Sequence, residues 1–177
     1  MADAAAGDGP LPRSVAPGLR AAGPGVPPSG RSVYLQPGDV FASDRPAVVS
    51  TILGSCVSVV LWDPARSVGG ANHFLLSHWP KSGEGACRFG GPAMETLLAK
   101  VLALGGDRLS LTARLFGGAS LFAAPPGRVS IGEQNVGVAT RFLEEARIPV
   151  LGRETGGTRG RKVVFDTASG GIWVKTL

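Results

Sequence analysis

The chain has 177 residues, of which 44% are hydrophobic and 18% are charged. This length fits one domain with a tail, and this balance excludes a chain that is disordered throughout. The net charge of +5 favours an acidic partner, but the basic residues are scattered without interleaved aromatic residues, which argues against a nucleic-acid-binding protein.

The N-terminal sequence and the cysteine content indicate a cytoplasmic protein. The start, MADAAAGDGPLPR, lacks the basic and apolar regions of a secretory signal. No apolar run reaches the roughly 18 residues that a membrane span needs, so no membrane insertion is expected. The two cysteines, Cys56 and Cys87, have no CxxC spacing, so neither a structural disulfide nor a zinc site is expected.

The first 30 residues differ in composition from the rest of the chain. Residues 1–30 are rich in Ala, Gly and Pro and have no apolar periodicity, which predicts a disordered tail before a domain over 31–177. Within that domain, β-branched and apolar residues predict strands over 31–36, 46–52, 57–63, 68–76, 108–118, 149–154, 161–167 and 171–177.

Two helices are predicted, over 92–106 and 131–148. Pro92 suits the start of the first helix, and a glycine pair ends it. The second contains Gly132 and Gly137, each of which weakens a helix by about 1 kcal/mol relative to Ala. Strands outnumber helices and hairpins outnumber crossovers, so the predicted class is α+β with a mixed, largely antiparallel sheet.

Cys56 is the first candidate for chemistry, because it follows Gly54-Ser55 and precedes an apolar strand. A nucleophilic cysteine needs a route to its thiolate, a base, and donors for an oxyanion. A turn of small residues leaves backbone N–H groups available to face a carbonyl oxygen. Ordinary core packing is the alternative, since free cysteine is among the most buried residue types.

The predicted hairpin supplies a base for this cysteine. His73 lies on the returning strand, beside the strand that follows Cys56, and a thiol and an imidazole within reach can exchange a proton. Ser50 and Thr51, on the strand that leads into Cys56, are candidates for orienting the imidazole. A satisfied core histidine is the alternative for His73, and His78 is interpreted as a solvated loop residue.

Small residues around the cysteine and the histidine are candidates for substrate binding. The segment FGGAS, with Gly117 and Gly118, ends a predicted strand. Because no GK[ST] follows, a nucleotide site is rejected, and the glycine pair is interpreted as room for the substrate backbone. Gly54, Ser55 and Asn72 are the remaining candidates.

Five segments, in order, resemble one known family. LGSCVSVVLWDP, GGANHFLL, FGGASLF, IGEQN and ETGGTRGRKVVFDTASGGIWVK resemble the CheD family of chemoreceptor glutamine deamidases over about residues 31–176. The resemblance implies a cytoplasmic chemotaxis enzyme that hydrolyses glutamine side chains of chemoreceptors to glutamate and ammonia, without a metal or cofactor. It also implies a layered α/β sandwich similar to the catalytic domain of cytotoxic necrotizing factor toxins.

The resemblance also implies the residues of the site. The family cysteine falls on Cys56 and the family histidine on His73. The family threonine matches the position of Ser50, with Thr51 next to it, so both are kept as third members, with Ser50 slightly ahead.

The implied partners are the cytoplasmic helical domain of a chemoreceptor and a CheC-type phosphatase, with the chain itself monomeric. Receptor signalling helices are typically acidic, so the positive charge of the chain is expected to steer docking. A non-catalytic adaptor that docks on receptors or on the phosphatase is the alternative function. A cysteine hydrolase that acts on another protein amide is a third interpretation.

Overall fold

A computed structural model describes residues 19–21, 31–78, 80, 85–121 and 127–177. The described strands are β1 (Leu19–Ala21), β2 (Arg31–Tyr34), β3 (Val40–Ser43), β4 (Ala47–Leu53), β5 (Val57–Asp63), β6 (Val68–Asn72), β7 (Thr112–Gly117), β8 (Val150–Thr155), β9 (Arg161–Asp166) and β10 (Ile172–Thr176). The helices are α1 (Gly90–Ala103) and α2 (Ile131–Glu145), and Ala86–Arg88 forms one 3-10 turn.

The strands form two five-stranded sheets that pack face to face. The first sheet has the order β1-β10-β9-β4-β2, and the second has the order β3-β6-β5-β7-β8. Of the eight pairings between described strands, five are antiparallel. Both helices lie against the second sheet. The predicted α+β class, with layers and mixed, largely antiparallel sheets, is confirmed.

Two hydrophobic cores fill the spaces between these three layers. The core between the sheets contains Leu35, Val49, Leu53, Val60, Ala71, Phe116, Val163, Phe165 and Ile172. The core between the second sheet and the helices includes Val59, Leu61, Met94, Leu97, Val101, Leu115 and Leu143. β5 is buried on both faces because it lies in the middle layer, which explains why its sequence is a continuous apolar run.

The two strands that the sequence did not predict are both short. β3 has four half-buried residues and pairs with β6 at Gly69 and Gly70. A Cβ atom on Gly70 would lie 2.3 Å from the carbonyl oxygen of Phe41, so the glycine pair permits this close pairing. β1 lies within the predicted tail and pairs with β10, and the rest of that tail is outside the described residues.

The helices begin and end within a few residues of their predicted bounds. α2 begins after Ser130, whose hydroxyl accepts a hydrogen bond from the N–H of Glu133, while the Glu133 carboxylate accepts one from the Ser130 N–H. This capping box satisfies two of the N–H groups at the start of the helix and lowers the pKa of Glu133 through the Ser130 backbone hydrogen bond. No described helix is long and apolar enough to cross a membrane.

Candidate active site

Cys56 lies where the chain passes from one sheet to the other. β4 ends at Leu53 in the first sheet and β5 begins at Val57 in the second, so residues 54–56 connect the two sheets. The Cys56 side chain is half-buried and packs against the core between the sheets. Its place at the edge of that core gives the thiol an apolar environment and partial exposure.

His73 lies on the same face of the second sheet as Cys56. Val60 pairs with Ala71 and Val57 forms a bridge with Phe74, a register that sets His73 opposite residue 58. Side chains two apart on a strand share a face, so Cys56 and His73 are diagonal neighbours. Such neighbours have Cβ atoms about 7 Å apart, within reach of long side chains. The register of the predicted hairpin therefore places the two residues on one face as diagonal neighbours.

The first sheet supplies the third side chain. Thr51 is 3% exposed on the inner face of β4, and its Oγ1 lies 2.8 Å from Nδ1 of His73. Ser50 precedes it in the strand, so its side chain points to the opposite face; its carbonyl accepts a hydrogen bond from Leu35. The structure thus brings Thr51 to the imidazole, and the sequence-based preference for Ser50 disagrees with this geometry because strand alternation turns Ser50 away.

The hydrogen bonds of Thr51 define the tautomer of His73. Thr51 Oγ1 lies 3.0 Å from the carbonyl oxygen of Leu35, which only accepts, so the single hydroxyl proton is donated there. The hydroxyl then accepts from Nδ1–H of His73, and Leu35 O lies 3.4 Å from the same nitrogen. Nε2 therefore carries the lone pair. It is buried and has no hydrogen-bond partner among the described residues.

Burial shifts the pKa values of Cys56 and His73 in opposite directions. It raises the pKa of the Cys56 thiol, and a hydrogen bond from the cysteine's own N–H opposes that effect. It lowers the pKa of His73, while the carbonyl of Leu35 and the charge of Asp39 oppose this. Burial therefore disfavours the charged form of each group, which opposes a thiolate–imidazolium pair at this place.

Hydrogen bonds to its three carbonyl groups orient the backbone of the connecting turn, residues 54–56. All three carbonyls of residues 54–56 accept hydrogen bonds from the protein, namely Gly54 from Ala119 N, Ser55 from Asn135 Nδ2 and Cys56 from Gly118 N. In a trans peptide the C=O and the following N–H point in opposite directions. The N–H groups of Ser55 and Cys56 therefore point away from these partners, as donors to an oxyanion require.

The glycines near Cys56 serve close contacts within the protein. A Cβ atom on Gly117 would lie 2.1 Å from the carbonyl oxygen of Cys56, and one on Gly118 would lie 2.5 Å from Val136. Both have positive φ angles of 102° and 67°, which favour glycine. A Cβ atom on Gly54 would lie 2.8 Å from the Leu121 side chain. These glycines thus make room for the protein's own segments, where the sequence interpretation assigned that room to substrate.

Asn72, a predicted substrate-binding residue, faces away from the site. It is fully buried, its Oδ1 accepts a hydrogen bond of 2.9 Å from Val59 N, and its Nδ2 contacts the sulfur of Met94 in α1. Adjacent strand residues point to opposite faces, so the position next to His73 is on the helix side. Asn72 therefore lies on the side of the sheet away from Cys56 and His73, contrary to its predicted place among the substrate-binding residues.

The sequence interpretation missed Asn135 in α2. Its side chain is fully buried, and Nδ2 donates to the carbonyl oxygens of Ser55 and Leu75 at 3.0 and 2.7 Å. Asparagine is unfavourable inside a helix unless its amide has partners. Asn135 shares a helix face with Gly132, Ala139 and Leu143, and a polar residue at this helical spacing was the available signal.

Other titratable residues lie outside this cluster. Cys87 is a free thiol near α1, where its sulfur contacts Thr96. His78 is exposed and lines an open groove with Gln134 and Arg141 of α2. Within the described ranges, no three His, Cys, Asp or Glu residues are grouped in a way that suits a metal ion.

Comparison with known proteins identifies the family. The model of the family "CheD chemotactic sensory transduction" matches residues 75–176. The "probable chemoreceptor glutamine deamidase CheD 1" of Anaeromyxobacter dehalogenans is 45% identical over 165 residues, covering 92% of this chain and 96% of the relative. A protein of Trichlorobacter lovleyi, named probable chemoreceptor glutamine deamidase CheD, is 41% identical over 140 residues, covering 79% and 87% of the two chains.

A solved structure, that of the hypothetical protein YfiH of Bacillus licheniformis, aligns with a TM-score of 0.46 at 18% identity, covering 68% of this chain and 51% of the other. The family assignment depends on the sequence relatives. Their identity is well above 30% and extends over most of this chain and most of their own length. The chain therefore belongs to the CheD family.

Proposed function

We propose that this chain hydrolyses glutamine side chains of chemoreceptors to glutamate, with Cys56 as nucleophile and His73 as general base. One observation carries the proposal: Thr51 occupies Nδ1 of the imidazole and leaves Nε2, on the face shared with Cys56, with its lone pair available. The relative named a probable chemoreceptor glutamine deamidase, matched over 92% of this chain, supports the choice of substrate.

The first half of the proposed reaction forms a thioester. Nε2 of His73 takes the thiol proton as Sγ of Cys56 attacks the carboxamide carbon. The resulting oxyanion accepts hydrogen bonds from the N–H groups of Ser55 and Cys56. The imidazolium then donates its proton to the amide nitrogen, the C–N bond breaks, and ammonia leaves.

The second half releases the product. His73, neutral again, takes a proton from a water molecule that attacks the thioester carbonyl carbon. The tetrahedral intermediate uses the same N–H donors, and the C–S bond breaks as the imidazolium returns a proton to the sulfur. Glutamate leaves and the thiol is restored, so the atoms balance with water as the single co-substrate.

Thr51 has a positioning role in both halves. It fixes the ring orientation and the neutral tautomer, and it accepts a stronger hydrogen bond when His73 becomes an imidazolium. Since burial lowers the pKa of His73, this bond offsets part of the energy needed to charge a ring between the sheets.

The direct experiment uses purified chain and the purified cytoplasmic domain of a chemoreceptor. Mass spectrometry of the receptor is expected to record a gain of about one dalton at particular glutamines, as amide-to-acid conversion requires. Cys56→Ala and His73→Ala are expected to abolish this gain. Cys87→Ser is the matched control, because Cys87 lies apart from the site, beside α1, and it is expected to keep the wild-type rate.

Two results would contradict the proposal. Deamidation by Cys56→Ala at the wild-type rate would remove the nucleophile assignment. A wild-type protein that leaves every receptor glutamine unchanged, while Cys56→Ala still binds receptor and supports normal signalling, would replace the enzyme with a non-catalytic adaptor.

The family resemblance supports three finer proposals. The chain works in the cytoplasm, as a monomer, and it binds a CheC-type phosphatase in addition to its receptor. Sedimentation of the purified chain tests whether it is a monomer. Co-sedimentation with the phosphatase tests whether the two proteins form a complex. A stable dimer, or a mixture without a complex, would remove the corresponding proposal.

A further inference from the structure

We infer that Asn135 of α2 is a positioning residue for the oxyanion donor of this site. The inference depends on the proposed cysteine chemistry, but it concerns a residue that does not contact the reacting atoms. It follows from how the carboxamide of Asn135 completes the end of the hairpin that carries Cys56 and His73.

The hairpin ladder ends beside Cys56. Val57 and Phe74 exchange two backbone hydrogen bonds of 3.0 Å, and in that register Cys56 lies opposite Leu75. Beyond this pair, the carbonyl oxygens of Ser55 and Leu75 both lie near the side chain of Asn135, and two acceptors cannot bond to each other. The two hydrogens of Asn135 Nδ2 join them, at 3.0 and 2.7 Å.

This bridge fixes the direction of a backbone donor, the N–H of Cys56. The carbonyl of Ser55 and the N–H of Cys56 belong to one planar peptide, so fixing the first fixes the direction of the second. The N–H of Cys56 lies next to that residue's own side chain, and this backbone donor lowers the thiol pKa that burial raises. The donor therefore lies on the thiol side of the turn, where the oxyanion develops.

Two features of α2 set the position of Asn135. The capping box at Ser130 fixes the first turn of the helix. Gly132 brings that turn against the segment after β7, because a Cβ atom there would lie 2.3 Å from the carbonyl oxygen of Gly118. Asn135 is thereby held over the hairpin end, and its Oδ1 has no partner within the described part of the chain. The amide therefore acts through its nitrogen.

The chemistry of the bridge predicts which replacements fail. Asn135→Asp keeps the size and shape of the side chain, but a carboxylate has no hydrogen to donate to two carbonyl oxygens. Asn135→Ser is smaller and keeps one donor. Gln134→Ala is the matched control, because Gln134 is the exposed neighbour on the same helix and its side chain bonds Ser77 and Val129.

The test compares two reactions of the Cys56 thiol in the full chain. Acylation by p-nitrophenyl acetate passes through an oxyanion, whereas alkylation by iodoacetamide is a direct displacement without one. Both rates are taken as differences from Cys56→Ala, which removes the contribution of Cys87. Thermal melting identifies which variants are folded. Among the folded variants, the ratio of the acylation rate to the alkylation rate is compared.

We expect Asn135→Asp to lower the acylation rate by about tenfold or more, since loss of a whole oxyanion donor costs about 100- to 1,000-fold in other enzymes. We expect its alkylation rate to stay within about twofold of wild type, and Gln134→Ala to change neither rate. If Asn135→Asp does not fold, Asn135→Ser is expected to lower the same ratio by a smaller factor.

The outcomes separate this inference from the proposed function. Equal falls in acylation and alkylation, or no fall in either, would make Asn135 a purely structural residue and overturn the inference. Wild-type protein that shows no Cys56-dependent acylation would instead contradict the cysteine mechanism itself.

Discussion

Thr51→Val tests the assignment of the third member of the site. Valine has nearly the shape of threonine, so the substitution removes the hydroxyl from a residue that is 3% exposed with little change in packing. Nδ1 of His73 loses its 2.8 Å partner and keeps only the Leu35 carbonyl at 3.4 Å. The substitution removes two hydrogen bonds of Thr51, the one with Nδ1 of His73 and the one to the Leu35 carbonyl at 3.0 Å, and only the first involves a group that changes charge in the reaction.

The size of the effect follows from how that bond changes during the reaction. A buried hydrogen bond between neutral groups contributes about 1 kcal/mol, and one to a charged group contributes about 1.5 to 3 kcal/mol. His73 is neutral before attack and charged in the transition state, so the difference is about 0.5 to 2 kcal/mol. At 1.36 kcal/mol per factor of ten, kcat/KM is expected to fall about 2- to 30-fold.

The assay is the rate of receptor deamidation by mass spectrometry across a range of pH. In Thr51→Val, the rise of the deamidation rate with pH is also expected to shift to lower pH. The reason is that losing the bond to the imidazolium lowers the pKa of His73 further. Thr51→Ser should restore most of both effects. Ser50→Ala is the matched control and should remain within about twofold of wild type, as substitutions without buried contacts usually do.

A specific pattern of results would refute this reasoning. If Thr51→Val kept the wild-type rate and pH profile while Ser50→Ala lost activity, Ser50 would be the third member in spite of the geometry. A loss of activity in Thr51→Val with an unchanged pH profile would indicate a packing defect without any role for the imidazole bond.

The remaining predictions concern protonation and the glycines of α2. Because burial raises the pKa of Cys56 and lowers that of His73, kcat/KM should rise with pH through a pKa below the usual range of histidine. The thiolate absorbance, taken as a difference from Cys56→Ala, should appear only above the usual range of cysteine, and a thiolate that persists in mildly acidic solution would contradict the neutral pair. Gly132→Ala should lower the free energy of unfolding by about 1 to 3 kcal/mol, because its Cβ would lie 2.3 Å from the Gly118 carbonyl oxygen. A Cβ atom on Gly137 would meet nothing within 4 Å, so Gly137→Ala should raise the free energy of unfolding by about 0.5 to 1 kcal/mol. Urea unfolding measures this energy for both variants. Equal changes in the two variants would show that the close approach at Gly132 does not decide its effect.

Local patterns were enough to predict most of the elements of this fold. β5 was predicted over its observed residues because a short run of β-branched and apolar side chains between turn residues is typical of a buried strand. α2 was predicted to begin at Ile131, where the structure has its first turn. β3 was missed because four half-buried residues carry too short a pattern, and its pairing depends on two glycines in another strand.

The candidate site also has a part that the sequence predicts and a part that it does not. The placement of Cys56 and His73 on one face was predictable, since a hairpin is a local structure and its pairing sets which residues share a face. Thr51 was not distinguishable from Ser50, because the choice depends on which face of β4 meets the second sheet. Asn72 was misplaced for a related reason, since the burial of both faces of its strand conceals which side holds the substrate.

The sequence by itself determined the α+β class and the hairpin with its cysteine and histidine, which depend on neighbours in the chain, and the family resemblance, which implied the layers. Only the tertiary structure decided that the first sheet supplies Thr51 to a histidine of the second, and that α2 supplies Asn135 to the end of the hairpin. These contacts join residues 22, 80 and 60 positions apart. Their geometry comes from the packing of layers, which no local periodicity encodes.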